Sequence, residues 1–283
     1  MPDRSDKGII FDMERFAITD GPGIRTTVFF KGCPLKCAWC QNPEGMSPRP
    51  ELLFHEGLCA RCGRCAIACP RGAHEVTCGG HVFHRERCAA TGLCARECPA
   101  HALELAGREM TVAEVMETVL RDATFYRKSG GGITLSGGEP MMQPEFVTGL
   151  LATARESGLH TALDTSGFAP WEAFERILGL VDLFLFDVKD TDEKRHREYT
   201  GVELAPILDN LRRLDAAGAK TLLRCIIVPG VNDDKRHAER LGEIRRTLKG
   251  ATGLETLEYH SLGLPKWRAL GMAALARDFS RKS

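Results

Sequence analysis

The 283 residues balance 38 lysines and arginines against 38 aspartates and glutamates, so no basic field favours nucleic acid and no polybasic strip favours anionic lipid. The opening Met1-Pro2-Asp3-Arg4-Ser5-Asp6-Lys7 is too polar for a secretory signal and no apolar run is long enough to span a bilayer, so a cytoplasmic protein is expected. Twelve cysteines gathered at short spacings in such a chain point to metal binding rather than to disulfides.

The first strand, expected at residues 25–31, runs into Cys33-Pro34-Leu35-Lys36-Cys37-Ala38-Trp39-Cys40. Iron–sulfur clusters ordinarily take four cysteines, so three thiolates hold three corners of a four-iron cluster and leave one iron without a protein ligand. A structural zinc site needs four closed ligands, and the next histidine, His55, is distant in sequence. The spacing therefore reads as metal-centred chemistry at an open iron.

Residues 53–104 are rich in Cys, Gly and Arg and poor in aliphatic runs. Within them Cys59, Cys62, Cys65 and Cys69-Pro70 have the spacing of a bacterial ferredoxin run, whose fourth cysteine serves the other cluster. Cys88, Cys94 and Cys98-Pro99 repeat that spacing, with Thr91 at the second cysteine position. One set, Cys59, Cys62, Cys65 and Cys98, is then complete. The other retains Cys69, Cys88 and Cys94, and its fourth ligand is Cys78, Thr91, water or none; a three-iron cluster, or a shell that has lost its cluster, also fits. One or two further [4Fe-4S] clusters are expected in this insert.

Beyond it, Thr111 and Glu114 form a capping box opening a helix over residues 111–129, with Val112, Val115, Met116, Val119 and Leu120 on one face. Strands are expected at 132–136, 160–164, 182–189, 220–228 and 256–260, with helices between them. Such alternation implies a parallel sheet covered by helices. Six units are too few to close an eight-stranded barrel. The expected fold is α/β: a partial (β/α)6 TIM-like barrel over residues 1–52 and 105–283, with a ferredoxin-like [4Fe-4S] domain inserted at 53–104. A doubly wound open sheet is the alternative on pattern alone. Polar residues crowd the strand ends, where parallel barrels build their sites: Cys33, then Gly137-Gly138-Glu139, Asp164-Thr165-Ser166-Gly167, Asp187 with Lys189, Arg224, and Tyr259-His260. Cys225 reads as core rather than ligand.

The run Thr19-Asp20-Gly21-Pro22-Gly23-Ile24-Arg25, the cysteine triplet and Gln41-Asn42-Pro43-Glu44-Gly45 resemble the signature of the glycyl radical enzyme activating enzymes, in the radical S-adenosylmethionine (SAM) superfamily. The resemblance implies that the open iron binds the amino and carboxylate groups of SAM. One electron then yields methionine and a 5′-deoxyadenosyl radical, which removes hydrogen from a glycine of a partner glycyl radical enzyme. It also implies cofactor contacts from Trp39, Cys40, Gln41, Gly137, Gly138, Glu139, Asp164, Ser166, Asp187, Val188, Lys189, Arg224 and His260, with Asp164 and Asp187 sharing a monovalent cation. Asp20, Gly21, Gly23 and Arg25 would line the groove for the partner's loop. A flavodoxin- or ferredoxin-type donor would supply the electron, and clusters open to air imply an anaerobic setting. Competing readings are a radical SAM enzyme for a small molecule or peptide, and an electron carrier.

Overall fold

The computed structural model describes residues 6–280; residues 1–5 and 281–283, within the expected main-body span, lie outside the described residues. The strands are β1 (Lys7–Ala17), β2 (Arg25–Phe30), β3 (Glu51–Phe54), β4 (His74–Thr77), β5 (Gly80–Phe83), β6 (Leu103–Ala106), β7 (Arg108–Thr111), β8 (Gly132–Gly137), β9 (His160–Thr165), β10 (Leu183–Asp187), β11 (Thr221–Ile227) and β12 (Ala251–Glu258). The α-helices are α1 (Arg64–Ala68), α2 (Leu93–Arg96), α3 (Val112–Leu120), α4 (Ala123–Ser129), α5 (Pro144–Glu156), α6 (Trp171–Ile177), α7 (Glu193–Thr200), α8 (Ala205–Ala216), α9 (Lys235–Thr247) and α10 (Leu264–Ala269).

Eight strands form one sheet in the order β12-β11-β10-β9-β8-β2-β1-β7. From β2 through β12 the pairings are parallel, and these are the six strands expected from the sequence. β1 and β7 extend the sheet antiparallel beyond β2 and were not expected. The register of β1 shifts between Ile10 and Asp12 and again between Arg15 and Ala17, and such bulges break the two-residue period by which a strand is read. β12 starts at Ala251, five residues before the expected start.

Period-two alternation splits the parallel strands between two environments. Val28, Phe30, Ile133, Leu135, Leu163, Phe184, Phe186 and Leu223 pack with residues of α3, α5, α6, α8 and α9 in one core. Burial of each such side chain is worth about 1.5–3 kcal/mol. The intervening residues, including Phe29, Ser136, Asp164, Asp187 and Arg224, face a cavity instead. Thr111 caps α3 through the expected box, its Oγ1 accepting from Glu114 N and its own N donating to Glu114 Oε2. The single helix expected over 111–129 is two, because Asp122 leaves the helical run and receives both arms of Arg15, Nε at 2.7 Å and Nη2 at 2.6 Å.

Between β3 and β6, which pair antiparallel, the chain repeats one backbone path at an offset of 29 residues. Left-handed residues Arg61, Gly63 and Gly72 in the first half match Ala90, Gly92 and His101 in the second. α1 and α2 follow Gly63 and Gly92, and β4 and β6 follow Cys69 and Cys98.

Candidate active site and metal centre

Cys33, Cys37 and Cys40 follow β2 and enter a cavity of about 380 Å³ walled by all six parallel strands. Lining it are Phe29 of β2, Ser136 and Gly137 of β8, Asp164 of β9, Asp187 of β10, Arg224 of β11 and Leu257 of β12. Burial pushes the thiol of Cys33 up, that of Cys37 up, and that of Cys40 to about 12. A cation is therefore needed to hold them as thiolates. Among the described residues, the three ligating side chains close enough to share one ion are Cys65, His74 and His81. The Cys33, Cys37 and Cys40 sulfurs do not all lie within 4.8 Å of one another.

Asp164, Asp187, Lys189 and Arg224 line the same cavity as the thiols. Lys189 Nζ donates to Asp187 Oδ2. Burial works against the Lys189 ammonium, but Asp187, with Cys37 and Asp164 behind it, holds its pKa above normal. Asp164 accepts from Ser136 Oγ at 2.6 Å through Oδ2, while its Oδ1 is buried without a partner. Burial and then the charge of Asp187 push the Asp164 carboxyl up to about 7.

Folded Asp164 thus keeps a proton that the unfolded chain releases near pH 4, so its contribution to stability is complete below that value and is lost as pH rises through about 7. Asp164→Asn is expected to gain stability relative to wild type with rising pH, by about 2 kcal/mol more at pH 8.5 than at pH 5.5 in SAM-free protein. Denaturant titrations at the two pH values measure this.

Not every expected residue reaches the cavity. Trp39, Cys40, Gln41, Gly137, Gly138, Asp164, Ser166, Asp187, Lys189, Arg224 and Asp20 line it. Glu139 does not: it is fully buried, and its carboxylate accepts from Thr165 Oγ1 at 2.8 Å, Ser166 N at 2.8 Å, Ser166 Oγ at 2.6 Å and Met141 N at 3.2 Å. It clamps β8 to β9 and leaves the cavity face to the Gly137-Gly138 backbone. A Cβ on Gly138 would lie 2.4 Å from Gly32 O and 2.5 Å from Gly45 O, so this glycine lets the cysteine loop close onto β8. Val188 belongs to the helix-side core. His260 lines a small neighbouring cavity with Trp39, Tyr259 and Trp267.

The expected substrate loop is corrected likewise. Arg25 is fully buried and its guanidinium donates to Pro22 O (2.8 Å), Thr134 Oγ1 (2.6 Å), Ile133 O (2.6 Å) and His160 O (3.3 Å). It braces the loop from beneath. Gly23, at φ +68°, lies where a Cβ would meet Ser129 O at 2.5 Å, so it packs on the α4–β8 turn. Gly21 sits against the Arg25 side chain. Asp20 alone of the four faces the cavity, held by Thr27 Oγ1 at 2.8 Å, with Arg224 Nη1 at 3.8 Å.

The model of the radical SAM superfamily matches residues 27–241. The chain is 42% identical over 271 residues to the choline trimethylamine-lyase activating enzyme of Oleidesulfovibrio alaskensis, covering 94% of this chain and 87% of that protein. It is 40% identical over 275 residues to the benzylsuccinate synthase activating enzyme of Thauera aromatica (94% and 82% covered). It is 40% identical over 265 residues to the trans-4-hydroxy-L-proline dehydratase activating enzyme of Clostridioides difficile (92% and 86% covered). The chain belongs to the radical SAM superfamily, among the glycyl radical enzyme activating enzymes.

This radical SAM enzyme has nine cysteines besides Cys33, Cys37 and Cys40. Cys59, Cys62, Cys65 and Cys98 surround one small cavity within residues 53–104, with Val76, His81 and Leu103. Cys69, Cys88 and Cys94 surround another, with Leu52, His74 and Thr91. Cys78 is exposed in the β4–β5 turn and borders neither. Cys225 is buried with its Sγ 3.3 Å from His237 Nε2, in the core as expected.

Sequence reasoning missed Glu14, Thr19, Ser136, Ile226 and Leu257 in the main cavity. Ser136 and Ile226 were within reach, since two-residue alternation from Asp164-type positions puts them on the cavity face. Glu14 was not, because its strand was unseen.

Proposed function

We propose that the Cys33–Cys37–Cys40 site, in a partial (β/α)6 barrel of residues 1–52 and 105–283, is where this activating enzyme uses SAM. When bound there, an open-iron [4Fe-4S] cluster supplies one electron to SAM, whose cleavage gives the radical that takes hydrogen from a glycine of the partner glycyl radical enzyme. Gly137 and Gly138 offer backbone oxygens to the methionyl ammonium at close approach. Lys189 and Arg224 offer cationic groups to the carboxylate. The unpartnered Oδ1 of Asp164, beside Asp187, suits a monovalent cation at that carboxylate. Trp39 and Gln41 wall the adenine side. Asp20 faces the cavity where the partner's glycine segment enters. One observation carries the reading: six strand ends bring the thiols of Cys33, Cys37 and Cys40 and the charged groups of Asp164, Asp187, Lys189 and Arg224 onto one cavity.

The insert, residues 53–104, acts as a ferredoxin-like domain with one complete cluster and a second held by three cysteines, passing electrons from a flavodoxin- or ferredoxin-type donor. No helix of the described residues is long and apolar enough to cross a membrane, and the cytoplasm fits such a donor. The relatives' names point to a lyase, dehydratase or synthase as the partner class.

Two results test this. Anaerobically reconstituted protein is expected to hold about eight to twelve irons per chain with matching sulfide. SAM is expected to change the EPR signal of the reduced open cluster. Zinc without sulfide, or a spectrum indifferent to SAM, overturns the reading.

A further inference from the structure

The second insert cavity is one cysteine short, and its structure holds a nitrogen with nothing to bind. His74, at the start of β4, is 5% exposed, lines that cavity with Cys69, Cys88 and Cys94, and has a buried Nε2 without a hydrogen-bond partner. A buried polar atom left unpaired costs free energy and calls for a partner absent from the protein. We propose that His74 Nε2 is the fourth protein ligand of the second insert cluster, completing the set Cys69, Cys88 and Cys94. This rests on the reading of the insert as a two-cluster domain.

The internal repeat isolates the substitution. At an offset of 29 residues, His74 corresponds to Leu103, which lines the first cavity as an apolar wall. The first cavity has four cysteines and a leucine there; the second has three cysteines, an exposed Thr91 and a histidine. The half that lost a thiolate is the half that gained an imidazole.

The hydrogen-bond chain fixes which nitrogen is free. His74 Nδ1 lies 3.0 Å from His81 Nε2, and His81 Nδ1 lies 3.3 Å from Cys59 Sγ, a closer thiol contact than the 3.8 Å between His81 Nε2 and Cys65 Sγ. A cluster-bound Cys59 thiolate accepts and cannot donate, so His81 carries its proton on Nδ1 and presents Nε2 as an acceptor. His74 must then donate from Nδ1, which leaves Nε2 with its lone pair. Ligating histidines ordinarily donate their other ring N–H to a neighbouring acceptor, and His81 fills that place. His74 also stacks on Phe83, ring centroids 4.8 Å apart and 16° between planes, which fixes the ring's orientation.

The test uses the full chain, purified and reconstituted without air, with histidine labelled by ¹⁵N. Pulsed EPR of the reduced protein is expected to show a directly coordinated ¹⁵N coupling. His74→Leu, which copies the residue of the other repeat, should lose that coupling and up to about four irons per chain, one cluster's worth. The SAM-responsive signal of the open cluster should persist. His74→Cys should lose the coupling yet keep the iron of wild type. Full iron without a nitrogen coupling in wild type, or a coupling that survives His74→Leu, overturns the ligand assignment and leaves the two-cluster insert standing. Iron of about four per chain removes the insert clusters and this assignment with them. Stoichiometric zinc at Cys65, His74 and His81, among the described residues the one trio near enough to share an ion, overturns it equally.

Discussion

Cys37→Ala is expected to reduce SAM cleavage to background while removing about four irons per chain, with the insert's iron left in place. Ligand count and burial both require this loss. Cys37 is 8% exposed and packs with Leu35, Trp39, Val228 and Val231, whose apolar side chains offer no ligand to replace its sulfur. Two cysteines cannot hold a cluster that already has one open corner. 5′-Deoxyadenosine formation under reducing, anaerobic conditions measures the loss, and iron analysis confirms that the insert survives.

Glu139→Ala is expected to destabilise the protein by about 3–5 kcal/mol and to abolish SAM binding. Four donors converge on this carboxylate in a fully buried site, and alanine leaves the Thr165 and Ser166 groups without acceptors. Burial alone would push the Glu139 carboxyl up, and those four donors work against that push. The clamp they form fixes the Gly137-Gly138 backbone and Ser166 together at the cavity wall. Denaturant unfolding reads the first effect, and the EPR response to SAM reads the second. Glu139→Gln keeps one oxygen acceptor and should recover part of both.

Much of this site could be read from the order of residues along the chain. Strand ends are marked by polar residues after apolar runs, which is why Gly137, Asp164, Asp187 and Arg224 were found at their positions. What the chain could not show was the direction of individual side chains. Asp187 and Val188 are neighbours, yet the two-residue period sends one to the cavity and the other to the helix layer. Glu139 belongs to a motif that reads as ligand-binding, but its partners Thr165 and Ser166 lie 26 and 27 residues on, a contact that sequence order does not reveal. Arg25 reads as a surface guanidinium beside a glycine loop, and its burial depends on three backbone carbonyls from separate segments. β1 escaped notice because its bulges break the alternation that identifies a strand.

Within residues 53–104, spacing alone divided the cysteines into sets of four and three, and the folded chain groups the same residues around two cavities. The fourth-ligand question stayed open at that level because the answer we propose is a histidine, set five residues after Cys69 and outside the ferredoxin spacing.

The most direct measurement mixes the reduced protein anaerobically with SAM and, one at a time, lyase, dehydratase and synthase members of the glycyl radical enzymes. The account predicts that a cognate partner develops a doublet EPR signal, split by the one hydrogen left on its glycine. That signal should grow in step with 5′-deoxyadenosine, one radical per molecule formed. Turnover of a small metabolite with 5′-deoxyadenosine release, and no radical on any of these enzymes, would contradict it.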